Sequence, residues 1–148
     1  MIRSTLLVCI SLLLSAQVSS AEMNETRAKY NYQMFCQGCH TQDGMGGRAV
    51  PQLKGFIGHF PKSQKGREYL IRVPGSANSV LNDLQLAEVL NWMIINFGEN
   101  SVAANWRPYD VDEVSELRKN PLMEVLQYRK DLVAELTSQN KIMKVENE

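Results

Sequence analysis

The stretch F35-C-Q-G-C-H-T-Q-D-G44 decides how the rest of the chain is read. Two cysteines separated by two residues, with a histidine directly after, suit a zinc ion, thiol redox chemistry or a haem. A zinc site would need further ligands at matching spacing. Past the N-terminal segment, the chain offers only Cys36, Cys39, His40 and His59. A thioredoxin-like dithiol belongs in a strand–helix–strand setting, and no strand pattern of any length occurs. C-x-x-C-H is the attachment pattern of a covalent haem. Two thiols add across the two vinyl groups on one side of the porphyrin, and the adjoining imidazole reaches the iron. A local disulfide is the weaker alternative, because so small a loop contributes little stability.

The start of the chain supports an oxidising destination. Arg3 precedes the apolar run T5-L-L-V-C-I-S-L-L-L14, and S19-S20-A21 offers small residues for cleavage. These features predict a signal peptide over 1–21, export to the periplasm and a mature chain beginning near Glu22. The run is shorter than the roughly 20 residues a membrane span needs, so no stable span is expected after cleavage. Cys9 lies inside it and is read as apolar filler.

The 148 residues suit one domain with a helical extension. Sixteen basic residues balance sixteen acidic ones, which excludes a general nucleic-acid binder. The distribution is uneven. Arg48, Lys54, Lys62, Lys65, Arg67 and Arg72 face a single acid, Glu68, within 48–72, while 99–148 holds ten acids against seven bases. The basic stretch reads either as a docking patch for an acidic redox partner or as an ordinary solvated surface.

Helical signals dominate the pattern. N24 to F35 reads as a helix capped by Asn24, with Ala28, Tyr32 and Phe35 on one face. The glycine-rich segment 43–58 reads as loop, and His59 is placed in a flexible continuation of it. G66 to V73 forms a short helix stopped by Pro74. N82 to F97 carries the strongest pattern, with Asp83 or Asn82 as its cap, Leu86, Leu90, Met93 and Phe97 at helical spacing and Gly98 as its stop. Beyond it, Asp110 and Glu113 suggest a capping box, and Pro121 suggests a restart at a first helical position. Leu122, Val125, Leu126, Leu132, Val133 and Leu136 then make an apolar stripe that packs on the preceding domain. The last ten or so residues read as frayed.

The segments Y32-Q-M-F-C-Q-G-C-H-T-Q-D-G-M-G-G47, P51-Q-L53 and L81-N-D-L-Q-L-A-E-V-L-N-W92 together resemble class I, mono-haem cytochrome c over about residues 24–97. The resemblance implies an all-α fold: a cytochrome c-like helical domain (22–98) around one covalent haem c, followed by a helical hairpin extension (99–148). It implies thioether attachment at Cys36 and Cys39 and His40 as the proximal iron ligand. It also implies that the Pro51 carbonyl accepts the proton of the other His40 nitrogen, which fixes the tautomer, and that Trp92 packs the last helix across the first.

The sixth ligand is where the chain departs from the family. A methionine is expected in the loop R72-V-P-G-S-A-N-S-V-L81, and Val73 stands there instead. Three readings follow. His59 is the other imidazole. Met93 is at a workable distance but belongs to an apolar stripe where methionine packs cores, and Met45 follows the attachment site so closely that surface loop is its better reading. The third reading is an open position. Ligand identity sets the potential, since methionine raises it. The resulting functional reading is a carrier of single electrons between a dehydrogenase and a further carrier or oxidase. It is not an enzyme by itself, though it fits the haem subunit of an oxidoreductase complex. The alternative is a haem that binds small ligands or reacts with peroxide, for which His59 would have to be the distal acid–base group.

Overall fold

The computed structural model describes residues 23–139, and every regular element within them is helical. The predicted signal segment and the last nine residues lie outside the described residues. Helix α1 spans Glu25–Phe35, and the Asn24 side chain accepts the Arg27 N–H at 2.9 Å, as the capping pattern predicts. Ala28 and Tyr32 are buried, with Asn31 beside them. Phe35, expected on the same face, is half exposed at the end of the helix. A four-residue helix, α2 (Gln37–His40), follows directly.

The segment holding His59 is ordered rather than loose. Ile57–Lys62 is a 3-10 helix because Ile57 and Phe60 are buried anchors three residues apart, the period of that helix. Helix α3 (Gln64–Arg72) starts earlier than the sequence suggests, since the Ser63 hydroxyl caps it by accepting the Gly66 N–H at 3.1 Å. Gly66 is required there: a Cβ would run into the Phe60 backbone. The α3 helix stops before Pro74, and Pro74–Ala77 forms a single turn, α4.

Helix α5 (Asp83–Phe97) is the centre of the fold. Asn82 and Gln85 close a reciprocal capping box, with N–H to side-chain bonds of 2.9 and 3.1 Å. Leu86, Leu90, Met93 and Phe97 are all buried, as their spacing predicts. Helix α1 packs along it. The Tyr32 ring lies 5.1 Å from both Trp92 and Phe97, with Trp92 and Phe97 at a right angle to each other. Gly98 ends the helix differently from the expectation. Its φ is −70°, so no left-handed turn is made, and the glycine serves because a Cβ would strike the Ile94 carbonyl and the Val102 side chain.

The α1–α5 pair is also tied by a buried carboxylate. Glu88 on α5 is 3% exposed and accepts from Arg27 Nε at 2.7 Å, Arg27 Nη2 at 2.6 Å and the Asn24 N–H at 3.1 Å. Burial alone would raise its pKa, but the guanidinium and the amide outweigh it and hold the carboxyl below its ordinary 4.5. A depressed carboxyl stabilises the fold above the unfolded-chain pKa and loses that contribution as pH falls through the lower folded value. Glu88→Gln therefore costs about 1–3 kcal/mol at pH 7 and flattens the acid limb of the stability curve below pH 4.5. Urea denaturation at pH 7 and pH 3.5–4.5 checks this, and an acid limb as steep as the parent's contradicts it.

The extension is bound to this core. Helix α6 (Val111–Leu117) lies on α5 and α3, and α7 (Val125–Ser138) on α3. Asp110 caps α6 by accepting the Glu113 N–H at 2.8 Å, but the Glu113 carboxylate turns to Arg67 and Arg107 rather than back to the cap. Pro121 does not restart a helix. The Leu122 N–H instead bonds the Arg72 carbonyl at 2.8 Å, which holds 120–124 outside the helix. The helical phase is thus reset at Val125, so Leu132 and Leu136 are buried while Leu126 is 81% exposed. One apolar cluster runs from Ala28 through α5 to Leu136.

Candidate haem-attachment site

The end of α1 delivers the motif to one turn. The Cys36 N–H completes the α1 ladder on the Tyr32 carbonyl at 2.9 Å, and the Cys36 carbonyl accepts from Cys39 and His40 at 3.2 and 3.0 Å. Cys36, Cys39 and His40 therefore stand within a single turn of backbone, with both thiols free. Burial and the neighbouring Cys39 push the Cys36 thiol up to about 11. It is a neutral S–H at ordinary pH, unlike the lowered thiol of a disulfide-exchange site. Among the described residues, no three Cys, His, Asp or Glu side chains converge to hold a metal ion.

The turn after the motif is built to fix His40. Thr41 has a φ of 63°, a region a β-branched residue occupies only under constraint. The constraint is visible. Its carbonyl accepts the Tyr32 hydroxyl at 2.6 Å, and its own hydroxyl sits 2.6 Å from the His40 carbonyl and 2.7 Å from Asp43 Oδ1. The Thr41 hydroxyl, followed by the Met45 N–H, holds the exposed Asp43 carboxyl below its usual range. Burial and the nearby acidic groups push the Tyr32 hydroxyl up to about 12, so it stays a donor.

Gly46, at φ 75°, returns its N–H to the His40 carbonyl at 3.1 Å. A Cβ at 46 would meet the Val50 and Pro51 carbonyls, so glycine is what lets the 50–51 backbone close over this turn. Burial lowers the pKa of the His40 imidazole, opposed by the Pro51 carbonyl. Nδ1 of His40 is nonetheless buried without a hydrogen bond of full geometry. The Pro51 carbonyl is the acceptor that acts on the ring, and a buried ring nitrogen calls for such a partner.

These residues fit a haem. Two free thiols and an imidazole stand on one turn, and Phe35 and Met45 expose apolar surface beside it at 50% and 46%. His59 stands apart on the 3-10 helix, its ring edge-on to Phe56 at 5.4 Å and its Nδ1 3.0 Å from Lys62 Nζ. An ammonium at Nδ1 makes that nitrogen the acceptor and leaves the ring proton on Nε2. A ligating histidine needs the reverse, one nitrogen on the metal and the other donating to an acceptor. Met93 is buried in the α5 stripe, Met45 is on the surface, and Val73 is part-buried against the core.

The basic stretch is largely answered from within. Lys54, Lys65, Arg67 and Arg72 pair with Glu99, Glu135, Glu113 and Glu68, and Arg67 is buried. Three of these acids come from beyond Gly98. The sequence holds no local signal of such pairing, because the partners lie 45 to 70 residues away. Among the described residues, no helix is long and apolar enough to cross a membrane.

No protein-family model matches the chain. Two curated relatives do, both of them a cytochrome c-552 from Thermus thermophilus. Each is 32% identical to it over 118 residues, covering 66% of this chain and 90% and 80% of the respective relatives.

Proposed function

The chain belongs to the cytochrome c family, and from that premise we propose that it is a periplasmic carrier of single electrons with one haem c held covalently by Cys36 and Cys39. The placement of these two cysteines and His40 on one turn is the observation that supports this reading most directly. Cys36 and Cys39 would each hold the macrocycle by a thioether, the S–H adding across a vinyl group so that a C–S and a C–H bond replace the S–H and the π bond. Bound in this way, haem supplies a reversible one-electron couple, and the protein's part is ligation, hydrogen bonding and burial.

His40 is the proximal ligand in this reading. Tyr32, Thr41 and Gly46 set its backbone, and the Pro51 carbonyl receives its second ring proton. His59 is proposed as sixth ligand in a state where Lys62 has left its Nδ1, with Met93 as the competitor. Residues 22–98 form the haem-binding domain and 99–148 the extension. A redox protein is the partner, and small interfaces suffice for such encounters. The paired cations at 54, 65, 67 and 72 leave less long-range steering toward an acidic partner than the sequence count implies, so association should depend only mildly on salt.

The exported protein, purified and examined by mass analysis and visible spectroscopy, tests the proposal. The expected result is the added mass of one haem, a low-spin spectrum that reduces and reoxidises reversibly, and no change with carbon monoxide. A chain without the haem mass overturns the proposal. Rapid formation of a carbonyl adduct favours the open-site alternative. His59→Ala and Met93→Leu then separate the two candidate ligands: the true one shifts the spectrum on substitution.

A further inference from the structure

Arg118, the residue that ends α6, reaches back across the molecule to the loop between α4 and α5. Its Nε donates to the Ala77 carbonyl at 3.2 Å, Nη2 to the Ala77 and Ser79 carbonyls at 3.2 and 2.9 Å, and Nη1 to the Leu81 carbonyl at 2.8 Å. The remaining Nη1 hydrogen goes to Asp83 Oδ1 at 2.9 Å. All five guanidinium hydrogens are thereby used, from a side chain that is 16% exposed.

This arrangement is more than an ion pair. Four of the five bonds go to three main-chain carbonyls within five residues, Ala77 to Leu81, which no lysine could match. That segment's backbone hydrogen bonds are otherwise local, from the Ala77, Asn78 and Ser79 amides to the Val73, Pro74 and Ser76 carbonyls. It is a single helical turn and a bend, with Val80 81% exposed and only Ala77 and Leu81 buried. It is also the loop 72–81, in which the resemblance expects a sixth ligand and Val73 stands instead.

We propose that Arg118 is a positioning residue: it clamps the 77–83 loop in one conformation and so keeps that loop from opening the sixth iron position. The link to iron rests on the haem reading above; the clamp itself does not. It also gives the extension after Gly98 a task at the site.

Hydrogen exchange and carbon monoxide binding, measured on the haem-loaded protein, test the two parts separately. In the parent, the amides of Ala77, Asn78 and Ser79, bonded to Val73, Pro74 and Ser76 carbonyls, should open together with the Arg118 amide on α6. In Arg118→Lys they should exchange at least about tenfold faster, because charged donors to several carbonyls are lost. Carbon monoxide, which should leave the parent's spectrum unchanged, should form an adduct with the ferrous form of this variant. Asp83→Asn removes the charge of one of the five acceptors but keeps its Oδ1, and should leave both near the parent. Unchanged exchange in Arg118→Lys overturns the clamp, as does parent exchange at 77–79 far faster than at Arg118 should the variant not fold. An equal effect from Asp83→Asn reduces Arg118 to an ion pair and overturns it as well. Faster exchange with unchanged carbon monoxide binding overturns the link to iron and leaves the haem reading standing.

Discussion

Replacing Cys36 and Cys39 together by serine should yield a chain without haem mass, without a haem absorption band and with little native helicity. The reason lies in where buried side chains are missing. Between His40 and Leu53 only Gly44 is buried, and that segment is held by backbone bonds such as Leu53 N–H to the Gly44 carbonyl at 2.8 Å. A stretch of twelve intervening residues with no apolar anchor of its own has little to offset the entropy of ordering it. A macrocycle fixed to the adjoining turn supplies that apolar surface. Its loss is expected to cost more than about 5 kcal/mol, the lower end of what a whole domain has. Circular dichroism with mass analysis reads the result. A double variant with parent-like helicity and a cooperative melt would show that the helices α1, α3 and α5 suffice alone, and that the haem is a passenger on a finished fold.

The parts legible in the sequence were those set by neighbours in the chain. Asn24, Asn82 and Asp110 cap helices because a cap is a three-residue affair. The stripe Leu86, Leu90, Met93, Phe97 announces α5 by period alone, and Cys36, Cys39 and His40 come together because four residues of helix bring them together. What escaped was decided at long range. Pro121 has the local look of a helix start, yet the Leu122 N–H finds the Arg72 carbonyl and the helix waits until Val125. His59 sits in a glycine-rich neighbourhood that reads as loop, but burial of Ile57 and Phe60 winds it into a 3-10 turn. Ser63 could have been found, since a serine three residues before Gly66 is an ordinary cap. Arg118 could not, because nothing in its surroundings marks an arginine that serves a loop 37 to 41 residues back. The basic stretch misled most, since charges were counted without the acids that fold onto them.

Arg67 shows what that costs, and its replacement by methionine is expected to destabilise the protein by about 3–5 kcal/mol. The side chain is 6% exposed and forks onto both carboxylate oxygens of Glu113, with Nη2 to Oε2 at 2.6 Å. It also donates to the Arg107 and Pro108 carbonyls and lies over the Tyr109 ring at 4.1 Å. Tyr109 closes the arrangement by donating its hydroxyl to the Arg67 carbonyl at 3.0 Å and exchanging two bonds with Asn91 on α5. Residues 107–113 are thus pinned to α3 through the Arg67 guanidinium and to α5 through Asn91. Removing it strands a Glu113 carboxylate whose side chain is 12% exposed, with only the more exposed Arg107 beside it. Arg67→Lys should recover less than half, because an ammonium cannot serve the carboxylate fork and two carbonyls at once. Arg67→Met with Glu113→Leu should be more stable than Arg67→Met alone, since no charge is then left unpaired. The exposed pair Lys119–Glu116, at 62% and 73%, provides the reference: Lys119→Met should change stability by less than about 0.5 kcal/mol. Chemical denaturation of the haem-loaded variants decides the matter. If Arg67→Met behaves like Lys119→Met, the guanidinium is a solvated surface charge after all, and the extension is held by Leu122, Leu132 and Leu136 instead.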